Sequence, residues 1–174
     1  MADCEKILIA GFAGAGKSSF LREIVQLSPG DWVFDDLDDL ILRKHAGPEK
    51  SLSEWIEIWG WDRFRAYEDE CLREWLSDEG KGILALGGGS LNEENVDLVS
   101  QKAQIVVLDV DFETAWRRLS MDPLVRPLAL KGENYMRWLF EKRQKVFARI
   151  PWKMTNSDQT DLKELAAAFW RALP

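Results

Sequence analysis

Short apolar runs alternate along this chain with longer segments in which apolar residues recur at helical spacing. The runs occupy residues 7–10, 32–34, 83–86, 105–108 and 152–155. Runs this short and this continuous predict strands covered on both faces, as in a parallel sheet built from βα units. Between the first two, Phe20, Leu21, Ile24, Val25 and Leu27 form a helical stripe that stops at Ser28, Pro29 and Gly30. A second stripe, Phe64, Tyr67, Cys71, Leu72, Trp75 and Leu76, runs out at residues 80–82. Ser51 with Glu54, and Asp161 with Glu164, have the spacing of capping boxes and mark two further helix starts. The last helix packs through Leu162, Leu165, Ala166 and Phe169. The predicted architecture is a three-layer α/β/α fold with a five-stranded parallel sheet. Residues 120–132 mix Pro123, Pro127 and Gly132 in a long loop of the kind that forms mobile lids.

Composition narrows the function classes. At 174 residues the chain is expected to form one domain, and 46% hydrophobic with 30% charged residues is a globular balance. A formal charge of -7 opposes nucleic acid or an anionic membrane as main partner, so an anionic ligand has to be gripped locally. No run of about 18 apolar residues occurs, and the N-terminus MADCEKILIA lacks the build of an export signal. The expected location is the cytoplasm, with Cys4 and Cys71 as reduced thiols.

The strongest chemical signal is GFAGAGKS at residues 11–18, between an apolar strand and an amphipathic helix. Gly11, Gly14 and Gly16 let successive backbone N–H groups, those of Ala15, Gly16, Lys17, Ser18 and Ser19 among them, face one anion at a helix N-terminus. Lys17 reaches the outer phosphates of a nucleotide such as ATP, and Ser18 offers a hydroxyl to Mg²⁺. In VFDDLDD, Asp36 and Asp38 are two residues apart and project to the same side if the second strand continues through both. One acid then serves Mg²⁺ through its water shell while the other accepts a proton from an attacking hydroxyl. Read otherwise, residues 35–39 are an acidic helix N-terminus.

Taken with Phe64-Arg65 opening a helix, Gly87-Gly88-Gly89 after a strand, Arg126-Pro127-Leu128 and Arg143 in a late helix, these motifs resemble the shikimate kinases over nearly the whole chain. That family comprises small monomeric phosphate-loop enzymes that phosphorylate the 3-hydroxyl of shikimate with ATP. The resemblance implies that Asp38 binds substrate hydroxyls and acts as base, and that Asp36 is the water-mediated metal partner. It implies that Arg65 and Arg143 clamp the substrate carboxylate, that Gly88 and Gly89 line the substrate pocket, and that Arg126 is the lid arginine approaching the transferring phosphate and the nucleotide. The helical insert at about residues 37–70 is then the substrate-binding region and about 120–132 the lid. A cation fork for a carboxylate and close backbone approach at glycine suit such a substrate chemically.

Some features stand apart from that pattern. Asp109 ends an apolar strand and competes with Asp36 as a metal acid, though strand end or helix cap is the favoured reading. Residues 118–126 are one longer than the pattern, and the adenine loop expected at 155–160 has no basic residue, leaving Arg118 as a stacking or packing group. His45 reads as a solvated surface residue. Trp55, Trp59 and Trp61 read as packing residues, with Trp55 and Trp59 on one helix face. The alternatives are a kinase of another small hydroxylated substrate, such as gluconate or a nucleoside monophosphate, and a nucleotide-binding module without catalysis.

Overall fold

A computed structural model describes residues 6–45, 51–121 and 128–173. The strands β1 (Lys6–Ala10), β2 (Val33–Asp36), β3 (Gly82–Ala85), β4 (Gln104–Asp109) and β5 (Lys153–Thr155) form one parallel sheet in the order β2-β3-β1-β4-β5. The helices are α1 (Lys17–Gln26), α2 (Leu37–His45), α3 (Leu52–Trp59), α4 (Trp61–Ser77), α5 (Val96–Lys102), α6 (Phe112–Met121), α7 (Glu133–Phe147) and α8 (Leu162–Ala172). The predicted five-stranded parallel sheet flanked by helices is the one observed.

Every residue of β1 is buried, and its alternate side chains serve two separate cores. Ile7 and Ile9 pack with Phe20 and Ile24 of α1 and Phe169 of α8. Leu8 and Ala10 face the other way, into a core shared with Leu72 and Trp75 of α4 and Val146 of α7. With both faces covered, the strand sequence shows no polar alternation. The Ser51–Glu54 capping box is present at α3, and Asp161 accepts the Lys163 and Glu164 N–H groups at the start of α8.

Register positions the chemistry. Ala85 at the end of β3 pairs with Ile9 on one side and with Asp36 on the other. The carboxyl ends of β2, β3 and β1 therefore lie side by side, where ligands of open parallel sheets bind. Strand β2 does not reach Asp38, so the condition for the two acids to share a strand face is not met. It ends at Asp36, whose Oδ1 accepts the Asp38 N–H at 3.0 Å, and this bond turns the chain into α2. The acidic helix N-terminus is thus also real, and Asp38 and Asp39 sit in its first turn. Of the expected lid, Ser120 and Met121 belong to α6, residues 122–127 lie outside the described residues, and Ala129–Lys131 form a 3-10 turn before α7.

Candidate active site

A cavity of about 1170 Å³ opens along the carboxyl edge of the sheet. Its wall includes Ala13 and Ser18 from the phosphate loop, Asp36 and Asp38 after β2, Gly87, Gly88 and Gly89 after β3, Arg65 of α4 and Arg143 of α7. Five separate stretches of chain thus meet around one space.

The phosphate loop is held closed by its own bonds. Ala15 N–H donates to the Phe12 carbonyl at 3.1 Å, and Lys17 Nζ donates to the carbonyls of Gly11 at 2.9 Å and Phe12 at 3.0 Å. Gly14 has φ 80°, and a Cβ there would come within 2.6 Å of the Ala115 carbonyl oxygen. Both the left-handed backbone and the close approach of α6 require glycine at that position. Helix α1 begins at Lys17, so its positive end faces the loop.

Ser18 Oγ donates to Asp36 Oδ2 at 2.6 Å, which places two hard oxygen ligands together at the helix start. The pair fits Mg²⁺, which prefers oxygen ligands and retains several waters. Among the described residues no group of three or more His, Cys, Asp and Glu side chains could hold a metal by itself. Asp39, in the same acidic turn, has its carboxyl raised above the ordinary range by burial and then by the neighbouring Asp36 charge. Asp109 is the last residue of β4, and its carbonyl accepts the Asn156 N–H at 2.8 Å. The helix cap that follows belongs to Asp111, whose Oδ1 accepts the Thr114 N–H at 2.8 Å.

The glycine turn after β3 is where the parts converge. A Cβ at Gly87 would lie 2.8 Å from Glu68 Oε1, 2.9 Å from Ser90 Oγ and 3.1 Å from Asp38 Oδ1, and one at Gly88 would lie 3.0 Å from Ala13 N. One at Gly89 would lie 2.8 Å from Arg65 Nη2 and 3.0 Å from Arg143 Nη2. The glycines thus leave room for this chain's own acid, phosphate loop and arginines, in that order. Arg65 and Arg143 flank one point, and burial followed by repulsion from Arg65 lowers the Arg143 guanidinium from its ordinary value. Among the described residues Arg143 Nη1 donates to the Leu91 carbonyl at 3.5 Å, and its buried Nε has no hydrogen-bond partner.

Other residues take part that sequence reasoning passed over. Glu68 is nearly fully buried, forms an ion pair with Arg65, and accepts the Ser90 hydroxyl at 2.6 Å. Its spacing of three from Arg65 was the available signal. Asn156, also buried, donates to the Ala15 carbonyl, and nothing local announced it. Arg118 donates to the Gly14 carbonyl at 3.3 Å and pairs with Asp158 at 3.3 Å, so it packs the phosphate loop against the loop after β5. Arg126 lies outside the described residues.

Two expectations are corrected. His45 is half-buried rather than solvated: its ring stacks on Tyr67 with centroids 3.6 Å apart, and its carbonyl accepts the Trp55 indole N–H. Trp55 and Trp59 lie one turn apart on α3, as their spacing implied, but only Trp55 packs as expected. Trp55 is in the core, whereas Trp59 ends α3, 49% exposed beneath the Arg63 guanidinium. Trp61 lines the cavity beside Arg65, whose guanidinium carbon is 5.3 Å from its ring centroid. No helix among the described residues is long and apolar enough to cross a membrane.

A family model described as shikimate kinase matches residues 13–174. A shikimate kinase of Lactococcus lactis subsp. lactis is 36% identical over 146 residues, covering 83% of each chain. Among solved structures, the shikimate kinase of Aquifex aeolicus superposes with a TM-score of 0.78 at 24% identity, over 97% of this chain and 95% of that one. The Acinetobacter baumannii shikimate kinase in complex with shikimate does so with 0.77 at 24% identity, over 97% and 92%.

Proposed function

This chain belongs to the shikimate kinase family, and we propose that it transfers the γ-phosphoryl group of ATP to the 3-hydroxyl of shikimate. One observation carries the reading. A phosphate loop, an acid and a pair of arginines open on the same cavity, ordered by three consecutive glycines that approach Asp38, Ala13 and the arginines in turn. A solved relative that binds shikimate supports the choice of acid.

In this reading the loop amides and Lys17 hold the phosphates, while Arg65 and Arg143 take the shikimate carboxylate in a bidentate grip. Gripped at that end, the ring presents its hydroxyls toward Asp38. The hydroxyl oxygen attacks the γ-phosphorus, the bond to the ADP oxygen breaks, and the hydroxyl proton passes to the Asp38 carboxylate. Ser18 and Asp36 would hold Mg²⁺, Asp36 through water. When bound there, that ion would neutralise charge on the phosphoryl oxygens. Arg126 would add a second cation from the lid. All these groups come from one chain, so a monomer suffices.

A coupled assay of ADP release tests the proposal. Turnover is expected with shikimate and not with gluconate or nucleoside monophosphates. Equal turnover with gluconate, or ATP binding with no turnover on any of these acceptors, would overturn it.

A further inference from the structure

The peptide plane between Ala15 and Gly16 is held from outside the phosphate loop. Asn156 follows β5, and its N–H bond to the Asp109 carbonyl at 2.8 Å completes the last pair of the ladder between β4 and β5. That bond fixes where the side chain projects. The side chain is buried, 4% exposed, and Nδ2 donates to the Ala15 carbonyl oxygen at 2.7 Å. A Cβ at Gly16 would lie 2.7 Å from the same Nδ2, so the carboxamide lies directly against the loop.

In a trans peptide the carbonyl and the following N–H point in opposite directions. A donor that grips the Ala15 carbonyl on the outer side therefore aims the Gly16 N–H at the inner side, where phosphate is held. Such a plane can flip by counter-rotation of ψ at 15 and φ at 16, and glycine, here at φ 85°, makes that flip cheap. A flipped plane would turn a carbonyl oxygen toward the anion. The same loop thus needs glycine for its shape and an external restraint for its polarity.

We propose that Asn156 is a positioning residue for the nucleotide, and that it acts by donating a hydrogen bond which sets the direction of the Gly16 N–H. The inference rests on reading the loop as the ATP cradle. It assigns Asn156 no contact with ATP and no effect on the acceptor site.

The decisive variant is Asn156→Asp, nearly isosteric but presenting an acceptor to the Ala15 carbonyl at neutral pH. The dissociation constant for ATP, read by calorimetry, is expected to rise about tenfold or more, with shikimate binding changed by less than about twofold. The deficit relative to wild type should shrink as pH is lowered and the new carboxyl gains a proton to donate, a recovery that a purely structural defect would not show. If Asn156→Asp does not fold, Asn156→Ala, which removes the donor without adding charge, carries the same expectation for ATP against shikimate. Unchanged ATP affinity, equal losses for the two ligands, or no recovery at low pH would overturn the assignment. Wild-type protein that failed to bind ATP would overturn the cradle reading as well, so the two failures are distinguishable.

Discussion

Glu68 and Arg65 form an ion pair one turn apart on α4, in which the acid is buried and the arginine is 37% exposed at the cavity wall. The Ser90 hydroxyl occupies the other carboxylate oxygen of Glu68. The acid therefore ties α4 to the residue after the glycine turn and fixes the direction of the arginine.

Glu68→Gln should accordingly raise KM for shikimate about tenfold while leaving ATP affinity in place. Glu68→Ala should add a loss of about 1–3 kcal/mol in stability, because Ser90 and Arg65 both lose a partner; exposure of Arg65 screens the charge contribution. Steady-state kinetics and urea denaturation check these outcomes, and an unaltered KM in both variants would refute them.

Gly88 and Gly89 should respond differently to the same methyl group. In Gly89→Ala the Cβ meets both guanidinium groups, and shikimate affinity should fall about tenfold with ATP affinity kept. In Gly88→Ala it meets the backbone of Ala13, so ATP binding should suffer first. Separate titrations with each ligand distinguish the two; identical ligand profiles would contradict the order of contacts along the turn.

Asp38→Asn should leave the fold and ATP binding intact and lower kcat by about a hundredfold or more, since it would remove the proton acceptor of the proposed reaction. Arg65→Ala should act mainly on shikimate binding. Wild-type-like turnover in the Asp38 variant would reject its role as base.

Asp111 supplies a pH-dependent part of stability. Its carboxylate accepts the Thr114 N–H at the start of α6, and this bond holds its folded-state pKa below the ordinary value. A depressed folded-state pKa means that the contribution is fully present above the unfolded-state pKa and is lost as pH falls through the folded one. Asp111→Ala should cost about 1 kcal/mol at neutral pH, whereas Asp111→Asn should retain the cap and flatten the acid side of the stability profile. Urea midpoints across an acid pH series give the answer; parallel profiles for wild type and Asp111→Asn would contradict it.

Much of the fold was legible because it is written locally. Strand runs, the first helix, the caps at Ser51 and Asp161 and the glycine spacing of the phosphate loop all depend on neighbours within a few residues. The motif residues Asp36, Asp38, Arg65 and Arg143 could be named from sequence as well. Their mutual geometry could not: whether Asp36 and Asp38 share a strand face turned on one side-chain bond that ends β2 at Asp36. Trp55 and Trp59 lie one turn apart on α3 as their spacing implied, but that spacing did not tell which is buried: Trp55 is in the core and Trp59, the last residue of α3, is exposed.

By itself, then, the order of residues determined a parallel α/β chain with an anion-binding loop and the acids and cations of a small-molecule kinase. Only the tertiary structure decided that Glu68 and Ser90 back Arg65, that His45 lies on Tyr67, and that Asn156 grips a loop 141 residues away. The reason is physical. Periodicity reports that a side chain leaves water, whereas its partner is set by which strand ends the order β2-β3-β1-β4-β5 brings together.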